Sequence, residues 1–404
     1  MNTKKITLRQ LYMFLLGLTS TLYIVRVFGI PLFYFLALIG IFVFRKFSIK
    51  IDRAYGAYIV VILISLAVNI DNGYVYTMVL SAALSSIICL FYMGLLRQNV
   101  KIIEYLLAGI KASCALQLIW CLLQYVSYHA FRLDINQVVF SQMFHMIDNA
   151  SRYVNGNLVL TGFCWHPSNM VPVLVLSIVM FNTWYIWLIC IFIAVGMNSS
   201  TAILALLTLG IIKILRLLIR KEIFKHLTMT KIVGAGLAIV FVVVAITTTN
   251  LGIQIAGGIT RLVERINGTN VTLSTTVHRS YYTLLPLVIR NTSIGKILFG
   301  YGPGCSGLAI TRINGQYSLL GSWVVESDYM NILYGYGIIG FIIYFFWIIR
   351  TIMKKSPQKI FFIEFLMPLL VAGITYNVQY YWVVFTILVM SVHYNKEVQV
   401  RAGK

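Results

Sequence analysis

The sequence predicts an all-α, polytopic integral membrane protein of about twelve transmembrane helices with two long external loops. Three observations carry this prediction. Over 404 residues the chain is 60% hydrophobic and only 11% charged, far from the composition of a water-soluble domain. Its apolar residues come in runs long enough to cross a hydrocarbon core of about 30 Å. Its formal charge of +21 is gathered in short clusters between those runs, which separates it from a soluble nucleic-acid-binding protein of similar pI. No nucleic-acid partner is expected.

The runs fall at roughly 8–25, 27–44, 54–70, 75–96, 102–127, 167–181, 184–198, 200–219, 232–249, 329–349, 359–375 and 379–394. They make residues 1–404 a single membrane domain. With the N-terminus in the cytoplasm, the inner segments hold Lys4, Lys5 and Arg9, then Arg45, Lys46, Lys50 and Arg53, then Arg97 and Lys101. The dense 213–231 run, Arg350 with Lys354, Lys355 and Lys359, and Lys396, Arg401 and Lys404 complete the set. Most basic residues are then inside, as the positive-inside rule requires, and both termini are cytoplasmic. The same rule fixes two short crossings within 167–198, joined by a turn at Asn182-Thr183, because one crossing would put the 213–231 run outside. The basic start before an apolar run resembles a signal sequence. No small-residue cleavage site follows and Arg26 leads straight into the second span, so the first helix is expected to stay uncleaved.

Most links are short, but 128–166 and 250–328 are not, and both face outside. Loops of that length in a compact membrane domain are uncommon unless functional. The larger one combines amphipathic stretches at 255–263 and 281–289 with a glycine-rich turn, Gly300-Tyr-Gly-Pro-Gly304. It is expected to form short helices at the outer membrane surface and to carry the chemistry. The six Cys show no C-x-x-C pair and no Cys/His cluster, so neither a zinc site nor a disulfide framework is implied. Cys164 and Cys305 are both external, and whether they pair is left open.

The outer loops favour arginine. Their basic residues are Arg132, Arg152, Arg261, Arg265, Arg279, Arg290 and Arg312, with Lys296 alone as lysine. A guanidinium is a planar fork that binds phosphate through two parallel hydrogen bonds, so such a set suits a phosphate or pyrophosphate headgroup. Solvated loop arginines, or arginines touching lipid phosphates, are the plainer alternative. The acidic residues away from the cytoplasmic face are Asp71, Asp134, Asp148, Glu264, Glu326 and Asp328. Glu326 and Asp328 stand together at the head of the 329–349 span, where a carboxylate either caps the helix or, partly desolvated, accepts a proton from a hydroxyl nucleophile. His129, His145, His166 and His278 are external and too scattered for a metal spacing, so no metal is expected. Lys111 is the conspicuous charge within a span, close enough to the cytoplasmic half to snorkel.

Four segments together resemble the bacterial O-antigen polymerases and the related O-antigen ligases. Glu326-Ser-Asp-Tyr-Met-Asn-Ile-Leu-Tyr-Gly-Tyr-Gly-Ile-Ile-Gly340 is similar to the signature that closes the large outer loop of that family. His278-Arg279-Ser-Tyr-Tyr, followed by Ile297-Leu-Phe-Gly-Tyr-Gly-Pro-Gly304, resembles its loop arginine and glycine-rich turn. Arg152 with Thr161-Gly-Phe-Cys-Trp-His-Pro-Ser168, and Asn198-Ser-Ser-Thr-Ala-Ile-Leu, resemble the entries to two mid-chain helices. The matches span about 150–345, in order, on one membrane side; each alone is weak.

The resemblance implies a fold of the GT-C type and a glycosyltransferase that uses undecaprenyl-pyrophosphate-linked glycan as donor and acceptor, without nucleotide sugar, metal or other cofactor. It implies lipopolysaccharide O-antigen biosynthesis at the periplasmic face of the inner membrane. Lipid-linked repeat units, a chain-length regulator, a repeat-unit flippase and membrane lipids are its implied partners. Carried over by motif position, Arg279 and Arg152 would stabilise the departing pyrophosphate, with Arg290 third. Glu326 would be the general base, with Asp328 in reserve. His166, His278, Tyr281, Tyr329, Gly302 and Gly304 would line the substrate, and Trp165 is a further aromatic candidate for sugar stacking. Ligases of this kind carry a histidine at the head of the closing motif, whereas this chain has Glu326 there, which favours polymerase. The alternatives are an O-antigen ligase, a lipid-linked oligosaccharide flippase or other transporter, and a non-catalytic scaffold. Transporters are built from repeat-related halves, and no repeat relates 1–200 to 201–404.

Overall fold

The computed structural model describes residues 6–27, 30–43, 53–83, 100–154, 156–164, 166–197, 199–219, 281–311, 327–353 and 359–373. Among them Glu104–Phe131, Ser200–Ile219 and Asp328–Arg350 are long and apolar enough to cross a membrane, by length and composition. Shorter apolar helices lie at Gly56–Val68, Pro167–Phe181, Trp184–Gly196 and Ile363–Ala372. This is the architecture of a helical membrane protein, in which each segment satisfies its own backbone. The expected spans at 232–249 and 379–394 lie outside the described residues, as does most of 75–96, of which 75–83 is helical.

The bundle begins with α1 (Leu8–Thr19), opened by a capping box in which Gln10 N donates to Thr7 Oγ1 and Thr7 N donates to Gln10 Oε1 at 2.8 Å. It packs on α4 (Val100–Phe131), the longest helix described. A Cβ on Gly17 would stand 2.3 Å from the Leu106 carbonyl oxygen, and one on Gly109 2.1 Å from that of Phe14. The helices therefore touch backbone to backbone, which small residues permit. Contacts advance together along both chains, from Gly17 beside Leu106 to Thr21 beside Ser113 and Gln117, so α1 and α4 run parallel.

The first expected span, 8–25, is cut short. The helix ends at Thr19, and Arg26–Val27 (β1) pairs with Ile30–Pro31 (β2) in a small antiparallel hairpin before α2 (Leu32–Val43). The cause is local. The Thr19 and Ser20 hydroxyls fold back onto the carbonyls of Leu15 and Gly17 at 3.0 and 2.7 Å, a habit that competes with helix continuation. Beyond them Ile24 N donates to Phe163 O at 2.8 Å, so the chain exchanges helical bonds for bonds to the first long loop.

The centre of the bundle is α5 (Pro167–Phe181), buried from Asn169 through Ile178 and apolar all round, as a helix surrounded by others must be. Asn182, at φ 48°, turns the chain into α6 (Trp184–Gly196), so 167–196 is two helices joined where the charge pattern places the turn. α7 (Ser200–Ile219) follows. Its Arg216 meets Glu364 of α12 (Lys359–Ala372) at 2.7 Å, an ion pair with the carboxylate 6% exposed. This pair is absent from the sequence expectations, which single out Lys111. That lysine is exposed, its Nζ lying 5.0 Å from the Phe181 ring centroid at the end of α5.

α3 (Arg53–Val68) packs on the segment Asp328–Met353, called α11, with Ser65 on Gly335, and runs antiparallel to the part beyond Gly337, with Val61 beside Gly340 and Tyr58 against Tyr344. α11 is two helical arms. Gly337 breaks it at φ 71° and ψ −173°, a region only glycine occupies readily.

Candidate active site

Two groups of residues surround the long loops. The first belongs to 128–166 and is more deeply packed than an exposed loop. Ser113, Gln117, Trp120 and Gln124 share one face of α4, being spaced at helical intervals. Gln124 Oε1 accepts from Thr161 N and Gly162 N, both at 3.2 Å, and Gln117 Oε1 from Phe163 N at 2.9 Å. Gln117 Nε2 donates to Thr21 O at 2.6 Å. Asn136 takes a bond from Trp120 Nε1 at 2.7 Å and gives one to Gly162 O at 2.9 Å. Buried irregular backbone in an apolar protein must be satisfied this way. Buried amides in the middle of an apolar helix are the signal that would have found this clamp in the sequence.

Arg152 stands exposed beside the hairpin of β3 (Tyr153–Val154) and β4 (Asn157–Leu158). Both of its neighbours are tied to Asp134, which accepts from the Ser151 hydroxyl at 2.6 Å and from the Tyr153 hydroxyl. The same carboxylate accepts from Gln137 N at 3.1 Å, at the start of a π-helical turn, Gln137–Met143. Asp134 thus fixes the backbone on which Arg152 is presented. His166 is the N-cap of α5: Ser168 N donates to its Nδ1 at 3.2 Å, and the Ser168 hydroxyl lies 2.6 Å away. Its ring is therefore engaged in capping.

The second group carries α8 (Leu285–Arg290), α9 (Ile294–Phe299), the turn 300–304, α10 (Leu308–Thr311) and the head of α11. The expected amphipathic stretch 281–289 is largely α8, and Arg290 ends it, exposed. α10 is buried with Tyr281, Tyr301, Cys305, Met330 and Tyr334 rather than lying on a surface. The glycine turn clasps the first arm of α11. Tyr301 N donates to Tyr334 O at 2.7 Å and Gly302 N to Gly335 O at 3.0 Å. A Cβ on Gly300 would stand 2.3 Å from the Gly335 carbonyl, and one on Gly337 2.3 Å from that of Leu298. Gly302 and Gly304 likewise sit against Met78 and Ser81, so these glycines are contact points of a packed joint.

At the head of the arm Asp328 is 1% exposed. Asn331 N donates to Ser327 O at 2.7 Å and Ser306 Oγ to Asn331 Oδ1 at 2.5 Å, which fixes the first turn. Tyr329 gives its hydroxyl to Leu370 O and stacks on Phe345. Tyr281 faces the core at 6% exposure, its carbonyl accepting from the Tyr334 hydroxyl at 2.5 Å. Its neighbour Tyr282 is 48% exposed and shares a hydrogen bond of 2.8 Å with Ser327, the residue before Asp328. Sequence reasoning passed over Tyr282, since two adjacent tyrosines give no sign of which one faces inward.

The structure therefore gathers Asp328, Tyr329, Tyr281, Gly302 and Gly304 into one joint, with Arg290 on the helix leading to it, and places Arg152 and His166 on the first loop. Arg279, His278, Glu326 and Trp165 lie outside the described residues. Cys164 and Cys305 are free, buried thiols in different packing clusters. Among the described residues no three His, Cys, Asp or Glu side chains form a metal-binding group. No family model, no curated protein and no solved structure matches this chain.

Proposed function

We propose that this chain is an O-antigen polymerase, a metal-independent glycosyltransferase of the lipid-carrier class. The reading comprises about twelve spans with both termini cytoplasmic, a GT-C-type fold, and a site on the periplasmic face of a bacterial inner membrane. The observation that carries it is the buried carboxylate of Asp328 at the head of a helical arm held from behind by the Gly300–Gly304 turn. A buried acidic group in a chain this apolar is costly to keep, which makes it a functional candidate by default.

In this reaction the acceptor sugar hydroxyl attacks the anomeric carbon of a glycan carried on undecaprenyl pyrophosphate. The new glycosidic bond forms as the bond from that carbon to the pyrophosphate oxygen breaks. The hydroxyl proton passes to a carboxylate, Glu326 first and Asp328 in reserve, and the electron pair leaves with the pyrophosphate. Charge grows on the leaving group, and preorganised guanidinium groups aimed at it lower the barrier. Arg279 and Arg152 take that role, with Arg290 third. Tyr282, exposed beside the head of α11, is better placed than Tyr281 to receive a sugar ring, and aromatic faces suit that contact.

The test is a gel of surface lipopolysaccharide from cells lacking this gene, beside a complemented strain. Core bearing a single repeat unit supports the polymerase. Bare core with polymer stranded on the outer lipid carrier would indicate the ligase instead, and repeat units trapped inside would indicate a flippase.

A further inference from the structure

We infer that Ser65 of α3 and Asn69, the residue just past its C-terminal end, are positioning residues that hold both glycine segments of the candidate site in register and so place the carboxylate at the head of α11. The inference rests on the polymerase reading. Both residues are buried, Ser65 in the last turn of α3 and Asn69 in the turn that follows it. Ser65 Oγ donates to Gly335 O at 3.0 Å, and Asn69 Nδ2 donates to Gly300 O at 2.8 Å and to Ser65 O at 2.8 Å. The C-terminal end of α3 thus grips the broken helix through Ser65, and the turn that follows it grips the glycine turn through Asn69.

The break explains the need. A helix interrupted at Gly337 strips the carbonyls of the preceding turn of their usual partners four residues on. Those of Tyr334 and Gly335 are supplied from outside, by Tyr301 N, Gly302 N and Ser65 Oγ. Gly335 and Asp328 are about 10 Å apart along the arm, so a tilt of about 10° at the clasp carries the carboxylate by about 2 Å. A displacement of about 1 Å can cost a hundredfold in rate when reacting groups must be aligned.

The experiment compares Ser65→Val, Ser65→Thr and Asn69→Leu in deletion cells at matched membrane level. Val removes the hydroxyl at the size of Thr, and Leu removes the amide at nearly the shape of Asn. Two readouts are taken: maleimide labelling of native Cys305, located by mass spectrometry, and turnover of purified protein on undecaprenyl-pyrophosphate-linked repeat units. Cys305 is buried directly after the turn and reports the clasp whatever the protein's activity. Expected are about tenfold faster labelling of Cys305 and a kcat lower by about tenfold or more at unchanged KM for Ser65→Val and Asn69→Leu, with Ser65→Thr close to wild type. Unchanged labelling overturns the latch, and wild-type kcat despite fast labelling overturns its role in positioning. Equal exposure of Cys114, Cys121 and Cys190 means general loosening and also overturns it. If the wild-type protein makes no polymer, the polymerase reading fails, and Cys305 labelling alone then decides whether the end of α3 and the turn after it hold the two segments.

Discussion

Tyr329 and Phe345 stack with ring centroids 5.4 Å apart although both belong to α11. In a straight helix their positions would be separated by about 24 Å. The helix therefore folds back on itself at Gly337, and the stretch whose length and composition suit one membrane crossing is a nine-residue arm, 328–336, laid against a longer one. A Tyr336 Cβ only 2.4 Å from where a Cβ on Gly340 would stand gives the same picture.

Replacing the break residue tests the fold-back directly. Gly337→Ala meets both a backbone conformation costing about 1–3 kcal/mol for a non-glycine residue and a Cβ 2.3 Å from the Leu298 carbonyl. The variant is expected to melt well below wild type in detergent and to make no polymer. A melting temperature within a degree or so of wild type would show that the arms do not depend on this bend.

Removing one amide from the α4 clamp should be costly without touching any proposed catalytic group. Gln117→Leu leaves the Phe163 amide and the Thr21 carbonyl without this partner, a loss of about 1–3 kcal/mol for buried polar groups. Differential scanning fluorimetry of the purified variant measures it. Wild-type stability would mean that the first loop is held by packing alone.

The Arg216–Glu364 pair ties α7 to α12. The Arg216 side chain is 37% exposed, so Glu364→Gln should cost about 1–2 kcal/mol, less than the 3–5 kcal/mol of a fully buried pair. Exchanging the two residues, Arg216→Glu with Glu364→Arg, should recover part of the loss. A double variant no better than the worse single one would remove the pair as a source of stability.

Tyr282 and Tyr281 should separate cleanly. Tyr282→Ala is expected to raise KM for lipid-linked acceptor about tenfold while leaving the melting temperature near wild type, and Tyr282→Phe to keep most activity because the ring remains. Tyr281→Ala should instead lower stability by about 3–5 kcal/mol, as truncation of a buried aromatic does. Equal KM for Tyr282→Ala and wild type would exclude a sugar at that ring.

Among the cations, Arg279→Ala and Arg152→Ala are expected to abolish polymer and Lys296→Ala to be mild, since the Lys296 ammonium lies over the Tyr301 ring at 5.3 Å. Asp134→Ala should weaken activity through Arg152, whose neighbours Ser151 and Tyr153 it anchors. Wild-type polymer length in Arg279→Ala cells, at matched protein level, would remove that residue from the site.

The sequence by itself determined that this is a helical membrane protein, where most helices lie, and that Asn182-Thr183 is a turn. These follow from composition and local period, because a chain in an apolar surrounding must close its backbone bonds within each segment. It also brought the glycine turn, Asp328 and Arg152 forward as candidates. Only the tertiary structure decided that α1 stops at Thr19, that Gly337 folds α11 back, that Tyr281 is buried while Tyr282 is exposed, and that Ser65, Asn69, Gln117 and Gln124 carry the polar contacts. Those outcomes depend on partners tens to hundreds of residues away, such as Asn69 with Gly300 and Gln117 with Phe163. A hydrophobic pattern fixes which stretches are buried, but not which distant carbonyl a buried side chain must satisfy.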